Sequence, residues 1–380
     1  MTSSTPNPRR RRPRRLLSLL AALALVTLLA TEVGFRIADW RAGRDASFFL
    51  PRDFSSGMFM PHPSLGFMLR PGYDAAVGNQ VHINALGMRG PEVDRVKAPG
   101  VFRIVCLGGS TTFGRSASGD AATYPGQLQR LLDEAVTDGR VVEGRTFEVL
   151  NAGVGNWNSA DSLINLELRL LDLQPDAILD YEAVNDLLLT QSSDFVSDYS
   201  NIRRSPPIVK VTPFEHFLLS HVRTYAHLAR GTDPEEQFGT LSAWVFVDDF
   251  RDRLVPSSQW INEAGLATLA RNLTNIVAVA RAHDIVPVLS TFAVRNSEGE
   301  TSDDLGPAMK AANDTLRALA VQLDVPIVPA AERLQDQPEL YKDWMHFTDR
   351  GERRHAEVVM ACLVQQQLFG LSTRPTAQKR

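Results

Sequence analysis

Ser110 closes the stretch Arg103-Ile-Val-Cys-Leu-Gly-Gly-Ser110, in which a short apolar run leads into two glycines. An apolar run of this length that is bounded by glycine is typical of a buried strand in a parallel sheet. Ligands of open α/β sheets bind beyond the carboxyl ends of such strands, and Gly108 and Gly109 allow the backbone to approach a bound molecule. We therefore expect Ser110 to lie where chemistry would occur.

Two other interpretations of this stretch remain open when it is taken alone. A strand followed by a Gly/Ser turn is common in any α/β protein. The residues from Gly109 to Ser116 also match the phosphate-loop pattern G-x-x-x-x-G-K-[ST], except that Arg115 replaces the lysine. In such an enzyme, Asp180 would be the acidic residue that helps to hold Mg²⁺.

A histidine with a nearby carboxylate lies towards the other end of the chain. His346 combines a carboxylate three positions earlier, Asp343, with a place just before the last predicted helix, and no other of the eight histidines has both. One turn can hold Asp343 against the imidazole and leave the second ring nitrogen free to accept a proton from a serine. A purely structural Asp–His turn has the same spacing.

Two further polar features follow predicted strands. Asn185 closes the third strand, where its neutral amide would stabilise an oxyanion without changing its protonation state. The block Asn151-Ala-Gly-Val-Gly-Asn156 closes the second strand, and its glycines would let backbone N–H groups face the same point. The structural alternatives are a helix cap at Asn185 and another tight turn.

The order of these features resembles that of the SGNH (GDSL-like) hydrolases, from about residue 101 to 369. The fold that the resemblance implies is a three-layer α/β/α domain with a mostly parallel, five-stranded sheet. The catalytic triad that it implies is Ser110, His346 and Asp343. The oxyanion-hole donors that it implies are Ser110 through its own N–H, Gly155 or Asn156, and Asn185.

Two positions depart from the family pattern. Gly109 stands where the family's Gly-Asp-Ser has aspartate, and because that aspartate is not a triad member we expect activity to survive. Asn156 occupies the place that aligns with the oxyanion glycine, and Gly155 comes one residue earlier. Any residue except proline can donate a backbone N–H, so which of these two amides faces inward stays open.

The competing chemistries fit less well once the whole chain is considered. A phosphate loop would leave Asp343 and His346 unexplained, and arginine is not a conservative replacement for its lysine. An α/β-hydrolase would require G-x-S-x-G around Ser110. Metal catalysis has little support, because His216, His221 and His227 lack an accepted ligand spacing. We expect no metal and no cofactor.

Alternating strands and helices must position these residues. Such alternation predicts a parallel sheet with helices on both faces, from about 101 to 371. The predicted strands are 103–107, 146–151, 177–184, 285–291 and 325–329. The predicted helices lie near 124–137, 159–173, 262–283, 308–323 and 350–369. An aromatic and polar insertion at about 190–258, with Phe214, Phe217, Tyr225, Trp244 and Phe246, interrupts the alternation and could cap the site.

The N-terminus predicts insertion into a membrane. A basic segment, 1–15, precedes the apolar segment 16–35, and this order keeps the basic end in the cytoplasm. The apolar core up to Ala30 is short for a transmembrane helix, so a cleaved signal peptide is an alternative. Because no A-x-A cleavage site follows, we favour an uncleaved signal anchor. Either way, the catalytic domain would be extracytoplasmic. Residues 36–100 predict a small β-rich lead-in, and 372–380 a polar tail.

The composition excludes several classes of protein. The 380 residues are 44% hydrophobic and 22% charged, which is an ordinary globular balance with room for a sizeable core. The formal net charge of −4 does not indicate a nucleic-acid partner. Cys106 and Cys362 lie in apolar surroundings and are expected to be buried thiols rather than part of a disulfide scaffold.

These observations predict a membrane-anchored serine esterase that acts on a small acyl ester, such as an O-acetyl or short-chain ester, or on an acylated glycan. The first alternative uses the same acyl-enzyme but transfers the acyl group to a cell-envelope polysaccharide, as an O-acyltransferase. An alternative of another class is a non-catalytic glycan-binding or assembly protein with this fold. The sequence does not indicate the oligomeric state.

Overall fold

A computed structural model describes residues 12–42, 58–75, 80–142, 144–201, 203, 212–230, 261–295, 302–335 and 337–372. The chain forms two compact units. One comprises Met1–Ser56 and Pro207–Trp244, and the other comprises Gly57–Pro206 and Val245–Arg380. The basic residues Arg9 to Arg11, the insertion residues Trp244 and Phe246, and the tail from 373 lie outside the described residues.

The larger unit is built on a five-stranded parallel sheet. Its strands are β5 (Val101–Gly108), β6 (Thr146–Asn151), β7 (Ala177–Tyr181), β8 (Val286–Ser290) and β9 (Ile327–Val328). Their order is β6-β5-β7-β8-β9, and every neighbouring pair is parallel. Strand β6, which follows β5 in the chain, lies on one side of β5, and the next strand, β7, lies on the other side. The strand order therefore reverses at the carboxyl end of β5.

Helices cover both faces of this sheet, which confirms the predicted three-layer α/β/α fold. The helix α3 (Tyr124–Thr137) packs against α11 (Asp349–Gln365). The helix α8 (Glu263–Ala282) packs against α4 (Ser159–Asn165), α5 (Val184–Thr190) and α9 (Ser302–Leu323). Short helices α2 (Ser110–Phe113) and α10 (Ala330–Leu334) follow β5 and β9. Apolar side chains from the strands and from the inner helix faces form one continuous core.

The predicted third strand and the predicted helix 159–173 differ from the observed elements. The third strand ends at Tyr181 rather than at residue 184, because the backbone turns at Ala183 and α5 starts at Val184. The predicted helix 159–173 is regular only to Asn165, and a π turn and a 3₁₀ turn complete it up to Leu173.

The lead-in consists of two small antiparallel hairpins in the larger unit. Strand β1 (Phe59–His62) pairs with β2 (Gly66–Leu69), and β3 (Asp74–Ala75) pairs with β4 (Val81–His82). After the second hairpin, Arg89 forms an isolated antiparallel bridge to Asn151 at the end of β6. The lead-in is therefore attached to the sheet next to the carboxyl ends of its strands.

The smaller unit contains the N-terminal helix α1 (Arg12–Arg41) and two helices of the insertion, α6 (Pro213–His221) and α7 (Arg223–Arg230). Helix α1 continues six residues beyond the predicted end of the anchor at residue 35. Its segment Leu16–Arg41 is long and apolar enough to cross a membrane, and most of the apolar side chains of that segment are exposed. Helix α7 packs on α1.

Candidate active site

The candidate nucleophile begins a one-turn helix immediately after the central strand. Strand β5 ends at Gly108, and Ser110 is the first residue of α2. A side chain at Gly109 would place its Cβ 2.5 Å from Asn185 Nδ2 and 3.1 Å from the Trp157 carbonyl oxygen. A side chain at position 109 would therefore displace the Asn185 amide, which lies directly beside the turn that presents Ser110.

The structure brings Ser110, His346 and Asp343 into one line of hydrogen bonds. Ser110 Oγ lies 2.8 Å from His346 Nε2, although the two residues are 236 positions apart in sequence. His346 Nδ1 lies 2.7 Å from Asp343 Oδ2. The other carboxylate oxygen, Asp343 Oδ1, accepts hydrogen bonds from the N–H groups of Met345 at 2.9 Å and His346 at 2.8 Å. One turn therefore fixes the carboxylate, and the carboxylate fixes the imidazole.

The surroundings of His346 keep its imidazole neutral near neutral pH. Burial of the ring, which is only 3% exposed, lowers its pKa below the ordinary 6.5 and outweighs the opposing effect of Asp343. The positive charge of Arg115 lowers it further. Burial raises the pKa of Asp343, but the backbone N–H groups of His346 and Met345, together with the His346 side chain, outweigh burial, so the net pKa lies below the ordinary value. A neutral imidazole beside an ionised carboxylate is what a general base requires.

Asn185 lies in the first turn of α5, and one of its two amide N–H groups is already engaged. Its Nδ2 donates to the Trp157 carbonyl oxygen at 2.6 Å. The adjacent Asp186 accepts from Ser159 N at 3.1 Å and from Ser159 Oγ at 2.5 Å. These bonds tie α5 to the start of α4 and hold the Asn185 amide in place. Within the described parts of the chain, Trp157 supplies the acceptor that the Asn185 amide group has.

The glycine block contacts the nucleophile helix directly. A Cβ at Gly153 would lie 2.4 Å from Phe113 N, so α2 rests on this glycine, whereas a Cβ at Gly155 would meet only Phe59 Cζ at 3.9 Å. Asn156 adopts a left-handed φ of 66°, which asparagine tolerates better than most residues, and this explains how it replaces a glycine. Among the described residues, no hydrogen bond uses the N–H groups of Ser110, Gly155 or Asn156.

The sequence pattern did not identify Arg89, although this residue supports the nucleophile turn. Its side chain is buried, donates from Nη1 to the carbonyl oxygens of Phe113 at 3.0 Å and Gly114 at 2.7 Å, and pairs through Nε with Asp120 at 2.7 Å. A cation at the C-terminus of α2 satisfies carbonyl groups that the short helix leaves unpaired. Only its position in a glycine-rich, otherwise apolar segment hinted at a structural role.

The residues of the competing chemistries lie in other settings. Asp180 is buried, and burial followed by the nearby Asp186 raises its pKa to about 8, so this carboxyl group is neutral at neutral pH. His216, His221 and His227 are on α6 and α7, in the smaller unit. Within the described part of the chain, no three potential metal ligands gather.

Family membership follows from comparison with known sequences. The model of the GDSL-like Lipase/Acylhydrolase family matches residues 106–354, which is well over half of the chain and includes Ser110, Asn185, Asp343 and His346. The chain therefore belongs to this family, as the sequence resemblance predicted. The protein is accordingly a hydrolase of ester bonds.

Several solved structures are similar to this chain at low sequence identity. A GDSL-like lipase from Bacteroides thetaiotaomicron VPI-5482 is 14% identical, covers 70% of this chain and 88% of its own, and has a TM-score of 0.38. The lipase/acylhydrolase from Enterococcus faecalis is 15% identical, covers 69% and 95%, and has a TM-score of 0.41. The acetyl xylan esterase AlAXEase is 14% identical, covers 69% and 100%, and has a TM-score of 0.41. No curated protein is detectably similar to the chain.

The lowered pKa of His346 predicts the acid side of the pH profile. Only the neutral imidazole accepts a proton, so kcat/KM should fall as the pH drops through an apparent pKa below 6.5. Replacing Arg115 with glutamine removes a positive charge that lowers this pKa, so the acid limb of Arg115→Gln should move to higher pH. The measurement is kcat/KM for p-nitrophenyl acetate across the acid range.

A surface arginine provides the matched control for this shift. Arg353 is exposed on α11 and pairs with Glu357, so Arg353→Gln should leave the acid limb where it is in the wild type. An unmoved limb in Arg115→Gln would show that Arg115 does not influence the base.

Proposed function

We propose that the protein is a serine esterase that cleaves acyl esters through an acyl-enzyme on Ser110. The observation that carries the proposal is the pair of hydrogen bonds, 2.8 Å and 2.7 Å, that joins Ser110 Oγ to His346 and His346 to Asp343. Ser110 and His346 meet only when the whole sheet has formed, so this contact is not a consequence of local structure. The family match supports the same reaction class.

The proposed reaction has two halves. His346 Nε2 takes the Ser110 hydroxyl proton while Oγ bonds to the ester carbonyl carbon, and Asp343 stabilises the imidazolium. The tetrahedral intermediate collapses, the carbon–alkoxy bond breaks, and the imidazolium gives its proton to the leaving alcohol. A water molecule then loses a proton to His346 and attacks the acyl-enzyme. The acid leaves and Ser110 regains its proton.

The proposed oxyanion donors are the N–H of Ser110, the N–H of Gly155 or Asn156, and the free N–H of Asn185. Replacing Asn185 with alanine should lower kcat by roughly 10²–10³, because a fixed donor to the developing charge is lost. KM should change little, since the ground-state carbonyl carries less charge than the oxyanion. The measurement is steady-state hydrolysis of p-nitrophenyl acetate.

Another asparagine of the larger unit is the control for Asn185→Ala. Asn165 is buried at the end of α4, where Oδ1 accepts from Arg169, and Asn165→Ala should retain kcat even if it lowers the melting temperature. If Asn185→Ala retains the wild-type kcat as well, Asn185 is not an oxyanion donor.

The proposed substrate carries an O-acetyl or another short acyl group. In support, the Phe59 ring of the lead-in stands 3.9 Å from the Cβ position at Gly155, so an aromatic side chain narrows the space next to the proposed oxyanion donors. A series of p-nitrophenyl esters of increasing chain length should show kcat/KM falling as the acyl group lengthens.

The deciding experiment combines a covalent probe with product analysis. A fluorophosphonate should label the wild type at Ser110 and should not label Ser110→Ala. No labelling of a folded wild type would favour a non-catalytic binding protein. Incubation of an acyl donor with and without a glycan acceptor then separates the two enzymes: free acid in both cases indicates an esterase, whereas acylated glycan indicates an O-acyltransferase.

We also propose that α1 anchors the protein with its catalytic domain outside the cytoplasm. The apolar side chains of Leu16–Leu29 are exposed along α1, as a lipid-facing helix requires, and the basic segment that precedes them favours the cytoplasmic side. Protease digestion of intact and lysed spheroplasts tests the sidedness, because the catalytic domain should be cut in both.

A further inference from the structure

The last third of α1 carries charged residues that a free membrane helix would not tolerate well. Glu32, Arg36 and Asp39 recur at intervals of four and three residues and thus share one face of the helix. Asp39 is only 2% exposed, whereas Trp40 beside it is 81% exposed. Charged groups near a bilayer are costly unless they are paired. Each of these three residues has a partner on α6 or α7.

Glu32 and Arg36 hold the corner between α6 and α7. The Glu32 carboxylate accepts from the N–H groups of Arg223 at 2.9 Å and Thr224 at 2.7 Å, which begin α7. Arg36 Nη2 donates to the carbonyl oxygen of His221, which ends α6, at 2.6 Å. An anion therefore meets a helix N-terminus and a cation meets a helix C-terminus, as the helix dipoles favour. Glu32 and Arg36 also pair with each other.

A second set of contacts one turn further along α1 fixes the angle of α7. His227 Nε2 lies 3.0 Å from Asp39 Oδ1, and Arg223 Nε lies 3.5 Å from Asp39 Oδ2. The His227 ring stacks on Phe35 with centroids 4.2 Å apart and an interplanar angle of 15°. Because several directional contacts act at both ends of the interface, α6 and α7 are held to α1 in a defined orientation.

This arrangement leaves an aromatic face of α6 exposed. Leu219 lies on the buried side of α6, whereas Phe214 is 71% exposed and Phe217 is 52% exposed. The two phenylalanines are three residues apart and therefore share a face, and Phe217 stacks on His221 at 4.6 Å. Phenylalanine occurs on the apolar face of helices that lie in the membrane–water interface, where tryptophan is also enriched, and Trp40 lies in the same unit.

We propose that α6 lies in the interfacial layer of the bilayer that α1 crosses, with Phe214 and Phe217 among the lipids. This inference rests on the membrane anchoring proposed above. The apolar part of α1 from Leu16 to Thr31 has 16 residues and is about 24 Å long, slightly short of the ~30 Å hydrocarbon core. Glu32 therefore reaches the interface, and the α6–α7 corner that it binds lies at the same level.

Site-directed spin labelling of the full-length protein in phosphatidylcholine–phosphatidylglycerol bilayers tests the inference. The native thiols Cys106 and Cys362 are buried, so introduced cysteines are labelled selectively. Phe217→Cys reports the aromatic face, and His216→Cys, exposed about 100° further round the same helix, is the matched control. Leu25→Cys reports the core of the anchor. For each label, the rate of collisions with oxygen, which concentrates in lipid, is compared with the rate of collisions with a water-soluble nickel chelate.

We expect the Leu25 and Phe217 labels to collide several-fold more with oxygen than with nickel, and the His216 label to show the reverse. Adding Glu32→Ala should make the Phe217 label water-accessible and leave the Leu25 label unchanged, because the corner loses its carboxylate.

Three outcomes overturn the inference. A water-accessible Phe217 label beside a lipid-facing Leu25 label removes α6 from the bilayer but retains the anchor. Dipolar broadening between Phe217 labels places a second copy of the chain on this face. A water-accessible Leu25 label removes the anchor itself, and with it this inference, whereas Ser110 labelling by the fluorophosphonate is unaffected.

Discussion

Replacing Ser110 with alanine should lower kcat for p-nitrophenyl acetate by about 10⁵–10⁶, and His346→Ala should have a similar effect. Both residues take part in one proton transfer across the 2.8 Å contact between Oγ and Nε2, so neither is useful without the other. For the same reason, the double variant should lose little more than either single variant. The measurement is the initial rate of ester hydrolysis by the purified protein, after subtraction of the rate of hydrolysis in buffer alone.

A serine on the lead-in is the control for these variants. Ser64 is exposed between β1 and β2, and Ser64→Ala should keep full activity. The melting temperature of Ser110→Ala should remain close to that of the wild type, since the change removes a single oxygen atom. His346→Ala empties the space of a buried imidazole and should lower the melting temperature without unfolding the protein at the assay temperature. A folded Ser110→Ala variant with wild-type turnover would refute the proposed mechanism.

Replacing Asp343 with asparagine should lower kcat by about 10⁴, an effect of the size seen when a triad carboxylate becomes an amide. The structure gives a specific reason. Asp343 Oδ1 accepts from the N–H groups of Met345 and His346, so the asparagine oxygen must take that position. The amide NH₂ then faces His346 Nδ1 and donates to it. This forces the proton of a neutral imidazole onto Nε2, which can no longer accept the proton of Ser110.

An exposed aspartate on α9 is the control for Asp343→Asn. Asp314 pairs with Lys310 and Arg317 on the helix surface, and Asp314→Asn should leave kcat unchanged. A nitrogen NMR spectrum of labelled histidine should show the proton on Nδ1 of His346 in the wild type and on Nε2 in Asp343→Asn. Wild-type activity in Asp343→Asn would remove the carboxylate from the proposed triad.

The sheet was predictable because its strands are local patterns. The runs Ile104–Leu107 and Ala177–Leu179 are buried and apolar without interruption, as is typical of strands covered on both faces of a parallel sheet. The Asp343–His346 contact was predictable for a related reason, since three residues of chain suffice to form it. The ends of α1 and of the third strand were predicted less well, because capping and chain reversal depend on neighbouring residues.

Long-range contacts were beyond the sequence pattern. Periodicity does not reveal that Arg89 donates to the carbonyl groups behind Ser110, since a buried arginine looks like a surface one until its acceptors are known. That the insertion caps the site stays a prediction. The contacts of its described helices α6 and α7 with α1 were not predictable either, since they join residues almost 200 positions apart.

By itself, the sequence determined the alternating elements, the family, and the residue types that ester hydrolysis needs. Only the tertiary structure decided that Ser110 meets His346 and that the Asn185 amide lies against Gly109. The physical reason is that burial of short apolar runs selects strands and helices locally. The order of those strands in the sheet, and so which side chains share its carboxyl edge, depends on packing across the whole chain.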